Sequence, residues 1–411
     1  MLKMKYRKGL RIWQVFAGLM TVALCIGAVL YVYFHKDTLF GSKSDVSKEK
    51  PVAIKKAPQP RSISSNVLFL GNTYWGRYIN DWSMASPLKY AYPFSRLNEF
   101  NRNQYDAWIS GLECPTKSGV SMTSAEEDST LTFNCSPEYL SEAAKWFTAF
   151  TLANNHTDNQ GIDGFNETRQ QLDKHSIQYF GHYDPRELND ICEVISLPVT
   201  VTRDDKTTVK GELPVAICGY HGVFRIPTDE AVAVMQKYSQ YMPVIAMPHM
   251  GAEYKNAPDE LKINFYRSLI DGGADMVIGD HPHWIQTSES YKGHLIVYSM
   301  GNFIFDQQDT PEVVRSAGIH MVMTIGKDNS ELLSKWLALG ETCQTFHDDC
   351  LDRAVKQKLS KLNAVYQFGV VGTNDSDKIV KPATAEQQAS ILERLHWQTT
   401  VSQLQPPYSG L

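Results

Sequence analysis

The sequence predicts an α/β domain with a buried central sheet, set behind an apolar N-terminal span. Three observations carry this reading. Short apolar runs alternate with helical stretches, the pattern of a sheet covered by helices. Several of those runs end in a polar cluster in place of an ordinary turn. Finally, residues 12–34 contain no charged side chain.

From the N-terminus, residues 1–11 carry Lys3, Lys5, Arg7, Lys8 and Arg11. The run 12–34 follows, with Trp13, Phe16, Leu19, Val22, Ile26, Leu30 and Val32. At about 1.5 Å per residue it can cross a hydrocarbon core of ~30 Å as a transmembrane helix. The positive-inside rule leaves the N-terminus in the cytoplasm and the rest outside. A cleaved signal peptide is the competing reading. Its apolar region is usually about 7 to 15 residues with a small-residue cleavage site, whereas this run is longer and ends in Tyr31-Val32-Tyr33-Phe34. Residues 35–65, with Lys48-Glu49-Lys50-Pro51 and Pro58-Gln59-Pro60, read as a solvated extracytoplasmic linker.

The main domain is expected over 66–340. Strand 66–70 ends at Gly71-Asn72, and helix 94–103 precedes strand 105–110, which leads to Gly111-Leu112-Glu113. A helix at 139–146 precedes 150–153, followed by Asn154-Asn155-His156. Helix 166–175 and strand 177–181 come next. A hairpin pairs 194–203 with 207–219 around Asp204-Asp205-Lys206. Helices 228–241 and 259–272 each feed a strand, the first ending at His249-Met250-Gly251-Ala252-Glu253 and the second at Gly279-Asp280-His281-Pro282-His283. Strand 294–299 runs into Met300-Gly301-Asn302-Phe303, and 318–325 reads as the last strand. Residues 341–411 read as a peripheral helical extension, with helices at 351–366 and 385–403.

With 411 residues, 43% hydrophobic, 21% charged and a net charge of −5, the chain suits a globular protein and gives no reason to expect nucleic-acid binding. Of seven cysteines, Cys25 falls in the apolar span. Cys114, Cys135, Cys192, Cys218, Cys343 and Cys350 form an even exported set, and the sequence alone does not choose among their pairings. Proximity favours Cys114 with Cys135 and Cys343 with Cys350. Equal counting from the hairpin turn puts Cys192 opposite Cys218. None has zinc-finger spacing.

Histidines beyond buried strands point to a metal site, because neutral imidazole is the commonest transition-metal ligand and open sheets place sites at strand carboxyl ends. An i,i+4 helical pairing of His249 with Glu253 is opposed by Pro248 and Gly251. Taken together, Phe69-Leu70-Gly71-Asn72, Gly111-Leu112-Glu113, Asn154-Asn155-His156-x-Asp158, His249-x-Gly251-x-Glu253-Tyr254, His281-Pro282-His283 and Tyr298-Ser299-x-Gly301-Asn302-Phe303-x-Phe305-Asp306 resemble the bacterial capsule synthesis protein family, CapA or PGA-cap.

That resemblance implies a branch of the calcineurin-like metallophosphoesterases, with a four-layer α/β/β/α core. It implies Glu113 as a bridging carboxylate and Asn155, His249, His281 and His283 as ligands, with Glu253 in or just behind them. His156 would act beside the substrate as acid or electrostatic stabiliser. The cofactor would be one or two divalent transition ions, Mn, Zn or Fe. Where the family has Gly-Asp, this chain has Gly71-Asn72, so Asn72 would coordinate without a charge, or serve as a turn residue. Asn302 is expected as a turn or supporting donor and Asp306 as orienting a histidine. The implied role is a membrane-anchored protein of capsule or poly-γ-glutamate synthesis and export, with an anionic capsular polymer and synthase or export subunits as partners. A metal-dependent phosphoester or amide hydrolase of the envelope is the alternative, and a metal-free structural partner of a synthase the third reading.

Overall fold

In the computed structural model, residues 57–326, 330–344 and 349–411 are described. The basic segment, the span 12–34 and most of the linker lie outside them. Among the described residues no helix is long and apolar enough to cross a membrane.

Among the described residues fifteen strands follow in order: β1 (Pro60–Thr73), β2 (Ala107–Leu112), β3 (Ala149–Thr151), β4 (Gln178–Phe180), β5 (Cys192–Arg203), β6 (Thr208–His221), β7 (Val244–His249), β8 (Met276–Ile278), β9 (Ser288–Tyr291), β10 (His294–Val297), β11 (Asn302–Ile304), β12 (Arg315–Ile325), β13 (Ala364–Asn374), β14 (Lys381–Pro382) and β15 (Tyr408–Gly410). The long β1 is where the sheet divides. Its second half pairs in parallel with β2, and β2, β3 and β4 continue in parallel. Its first half pairs with β5, which leads through β6, β7 and β8 to β10 and β9. Along its other edge run β12 and, at the last two residues, β11.

Both faces of the second half of β1 are covered, which is why Val67-Leu68-Phe69-Leu70 is a continuous apolar run. Side chains alternate across a strand: Val67 and Phe69 join one core, Leu68 and Leu70 the other. β2 repeats the pattern, with Ala107 and Ile109 in the first core and Trp108 in the second.

The β5–β6 hairpin has the predicted register, Cys192 opposite Cys218. All three favoured disulfides are present: Cys114–Cys135, Cys192–Cys218 and Cys343–Cys350. Helices Gly161–Lys174, Asp229–Ser239 and Glu260–Asp271 stand within a few residues of their expected positions.

Four expectations are corrected. The strand starts at Pro60, so 60–65 are sheet and not tether; Ser65 is fully buried and its hydroxyl donates to Pro198 O at 2.8 Å. The helix expected at 94–103 is a string of 3₁₀ turns, interrupted at Asn101, whose φ of 53° is left-handed. The helix expected at 139–146 is the single turn Leu140–Ala143. Finally, 341–411 is only partly helical: Cys350–Lys356, Ala385–Arg394 and Trp397–Gln403 are helices, but Ala364–Asn374 is a strand of the sheet. β13 pairs with β12 along its whole length, with Ala364, Tyr366 and Phe368 buried on one face.

Candidate metal centre

Parallel strands on both branches deliver their carboxyl ends to one place. β1 ends on Asn72 and Thr73, β2 leads to Glu113, and β3 leads to Asn154 and Asn155. β7 ends on His249, and β8 leads to Asp280, His281 and His283. Asn72, Glu113, Asn154, Asn155, His249, Asp280, His281 and His283 are all buried. Close approach of the branches needs glycine at position 111, where a Cβ would lie 2.4 Å from Asp280 Oδ2. The backbone at His281 and His283 is left-handed, with φ of 89° and 61°. Such conformations cost about 1–3 kcal/mol each and collect at functional sites.

His249 is the hub. Its Nδ1 lies 2.7 Å from Asp280 Oδ1, and its Nε2 lies 2.8 Å from Asn155 Oδ1 and 3.1 Å from His281 Nδ1. The Asn154 amide sits 3.0 Å from the same Nε2, while its oxygen accepts from the His156 N–H at 2.8 Å. Two proton arrangements satisfy the Asp280–His249 pair. Protonated Asp280 donates to Nδ1 and lets Nε2–H donate to Asn155. Ionised Asp280 fixes the proton on Nδ1 and leaves Nε2 bare, the form in which a carboxylate orients a ligating histidine.

His283 is held from the opposite side. Its Nδ1 lies 2.8 Å from Asn302 Oδ1, and the Asn302 amide donates to Gln307 Oε1 at 3.1 Å. That chain identifies Asn302 Oδ1 as the acceptor, so the proton sits on Nδ1 and Nε2 faces Glu113 Oε1 at 3.6 Å. Asn72 Nδ2 lies 3.3 Å from both His283 Nδ1 and Asn302 Oδ1, and Asn72 Oδ1 accepts weakly from His281 N at 3.4 Å. Tyr254 stacks on His283, centroids 5.5 Å apart.

Among the described residues, no three His, Cys, Asp or Glu side chains stand at coordination geometry; the donors bond to one another. The donor set still fits a cation. Glu113 Oε2 and Asp280 Oδ2 are buried with no hydrogen-bond partner among the described residues. Burial, with Asp280 and Glu253 nearby, pushes Glu113 well above the carboxylate range, and burial raises Asp280 to about 7. Burial likewise holds His249 and His281 well below the usual imidazole range and His283 at about 4. Two carboxyls reluctant to ionise beside three neutral imidazoles is a set whose penalties a divalent cation would reverse.

His156 stands at the margin, its ring 4.1 Å from that of Phe133. Asn159 Oδ1 accepts from the Phe133 N–H, so it is an oxygen, and His156 Nδ1 at 2.9 Å must donate to it. Nε2 is therefore a lone pair. Burial lowers the ring to about 4. At neutral pH the His156 ring is uncharged and its Nε2 can accept a hydrogen bond, but it carries no spare proton, which disfavours the acid role.

Glu253 is exposed on its loop and stays at the rim. Among the described residues Asp306 is hydrogen-bonded to no histidine. It takes a two-pronged bond from Arg77, at 2.7 and 2.9 Å, and Asn302 does the orienting instead. Two residues at or beside the cluster carry no role in the sequence reading. Asp280 lies inside the Gly279-Asp280-His281-Pro282-His283 cluster, where the sequence alone gives it no partner. His221 ends β6 in register with His249, and its signal was the same apolar run closing on Gly219-Tyr220-His221.

The fold and site define a mixed α/β protein whose parallel strands converge on a buried cluster of imidazoles, amides and carboxyls. The chain belongs to the bacterial capsule synthesis protein PGA_cap family, whose model matches residues 66–307. It is 26% identical over 264 residues to the PGA biosynthesis protein CapA of Bacillus subtilis (strain 168), covering 61% of this chain and 67% of that one. To the capsule biosynthesis protein CapA of Bacillus anthracis it is 29% identical over 180 residues, 39% of this chain and 41% of that one. A solved phosphatase from Mycoplasma pneumoniae aligns with 65% of this chain and 90% of its own at 13% identity and a TM-score of 0.34.

Proposed function

We propose that this chain is a membrane-anchored, extracytoplasmic protein of capsule or poly-γ-glutamate synthesis and export, in which the strand-end cluster holds one or two divalent transition ions. The observation that carries the metal is the pair of buried, unpartnered carboxyl oxygens, Glu113 Oε2 and Asp280 Oδ2, beside His249, His281 and His283. Asn155 and Asn72 would add neutral oxygens. The ion would supply Lewis acidity and a positive clamp for an anionic polymer. Three disulfides support a location outside the cytoplasm. The span 12–34 would be the anchor, and synthase or export subunits would be the partners. The two cores on either side of β1 and β2 support a four-layer α/β/β/α, metallophosphoesterase-like arrangement.

A hydrolase acting on a phosphoester or amide is the second reading, favoured by the neutral His156 ring, whose Nδ1 donates to Asn159 and whose Nε2 lone pair is left as an acceptor at the margin of the site. Cell-surface anionic polymer in a deletion strain tests the first reading. Restoration by the wild-type chain and not by Glu113→Gln is expected, and polymer unaffected by the deletion contradicts it. Turnover of a generic phosphodiester by the full chain, abolished in His156→Ala, is the outcome that favours the hydrolase.

A further inference from the structure

A buried imidazole outside the implied ligand set lies beside the same site. His221 closes β6 opposite His249 in the β6–β7 register, which places its side chain on the same side of the sheet. Its ring centre is 6.5 Å from that of His249. The residue is 6% exposed.

The two ring nitrogens are unequally placed. Nδ1 makes a short bond to the backbone carbonyl of Tyr183, and a carbonyl can only accept, so Nδ1 carries the proton. Nε2 is then a lone pair, and it is buried without a hydrogen-bond partner among the described residues. A buried acceptor with no donor is rare in folded proteins and calls for an explanation. An imidazole that donates one N–H to a backbone carbonyl and leaves the other nitrogen bare is the arrangement of a ligating histidine. The following residue is fixed as well, because Gly222 N donates to His249 O at 2.9 Å.

We propose that His221 supplies a further nitrogen ligand, through Nε2, to a divalent transition ion held by the His249 side of the cluster. The proposal rests on the metal reading above and extends it. It gives this half of the site a third imidazole beside His249 and His281, in a chain whose other half has an amide, Asn72, at the end of β1.

The test is Co²⁺ titration of the purified full-length chain, read by visible absorption and by bound metal after gel filtration. His221→Ala removes the nitrogen, and His221→Gln removes it while filling more of the space should the alanine variant not fold. Loss of a ligand is expected to weaken Co²⁺ binding by at least about tenfold, the loss that even an orienting partner gives, and to shift the absorption bands. Unchanged affinity and bands in whichever variant folds overturn His221 as a ligand while leaving the metal reading intact. A wild-type chain that binds no Co²⁺, Mn²⁺ or Zn²⁺ overturns both.

Discussion

The two halves of the cluster are built alike and armed differently. On the β1 and β11 side, His283 is oriented by an amide, Asn302, and flanked by another, Asn72. On the β7 and β8 side, His249 is oriented by a carboxyl, Asp280, and faces His281. Amides and carboxyls fill similar space and accept the same hydrogen bonds, so the fold tolerates either. A divalent cation does not, because only the carboxyl brings the negative charge that offsets its desolvation. On the proposed metal reading the comparison predicts tighter binding on the His249 side, with Glu113, 3.6 Å from His283 Nε2, as the carboxyl nearest the other half.

The largest effect is expected from breaking the stronger half. His249→Ala removes the hub and should lower transition-metal affinity by more than about a hundredfold, beyond what loss of an orienting partner gives. Isothermal titration with Zn²⁺ reads it. Asp280→Asn keeps the shape and removes the charge behind His249. A weakening of about 10–100-fold is expected, and an equal effect from Asn302→Asp in the same direction would erase the distinction between the halves.

The converse change sharpens it. Asn72→Asp gives the weaker half the charge it lacks and should tighten binding there by roughly tenfold, on the scale of ~1.5 kcal/mol for one charged contact. The metal-to-protein ratio at saturation reports whether a second ion enters. Unchanged affinity and ratio would remove Asn72 from the ligand set.

The smallest effect concerns a feature behind the stronger half. Lys262 is wholly buried, its amine donating to Gln286 Oε1 at 3.1 Å, and burial lowers it from 10.5 to about 7. The unfolded chain therefore binds the extra proton between pH 7 and about 10, so stability rises with pH across that window and the burden is fully present below it. Melting temperature measured from pH 7 to pH 10 should climb in the wild type. In Lys262→Met the rise should flatten, and an identical slope in both would contradict the buried-amine account.

What the sequence disclosed follows the same physics. Asn155, His249, His281 and His283 were legible because each follows an apolar run that only a buried strand explains. The hairpin register was legible because a short polar turn fixes the count on both sides. The first half of β1 was not, since Ser62, Ser64 and Ser65 read as solvated until β5 and β12 pair with them. β13 was hidden because its alternation, Ala364, Tyr366, Phe368, begins just where a helical pattern was being extended. His221 escaped because a single histidine after a strand has no neighbouring motif to mark it. The pairing role of Asp280 needs His249, 31 residues away, to be seen.

The cluster is proposed to be a metal centre weighted toward His249. Mass-spectrometric metal analysis of the full-length chain, after dialysis with a weak chelator, tests it most directly. About one equivalent of Mn, Zn or Fe in the wild type and none in His249→Ala is the result the account predicts, because removing the hub imidazole releases the ion. A wild-type chain that retains no metal and takes up none on addition of Mn²⁺, Zn²⁺ or Fe²⁺ would contradict it.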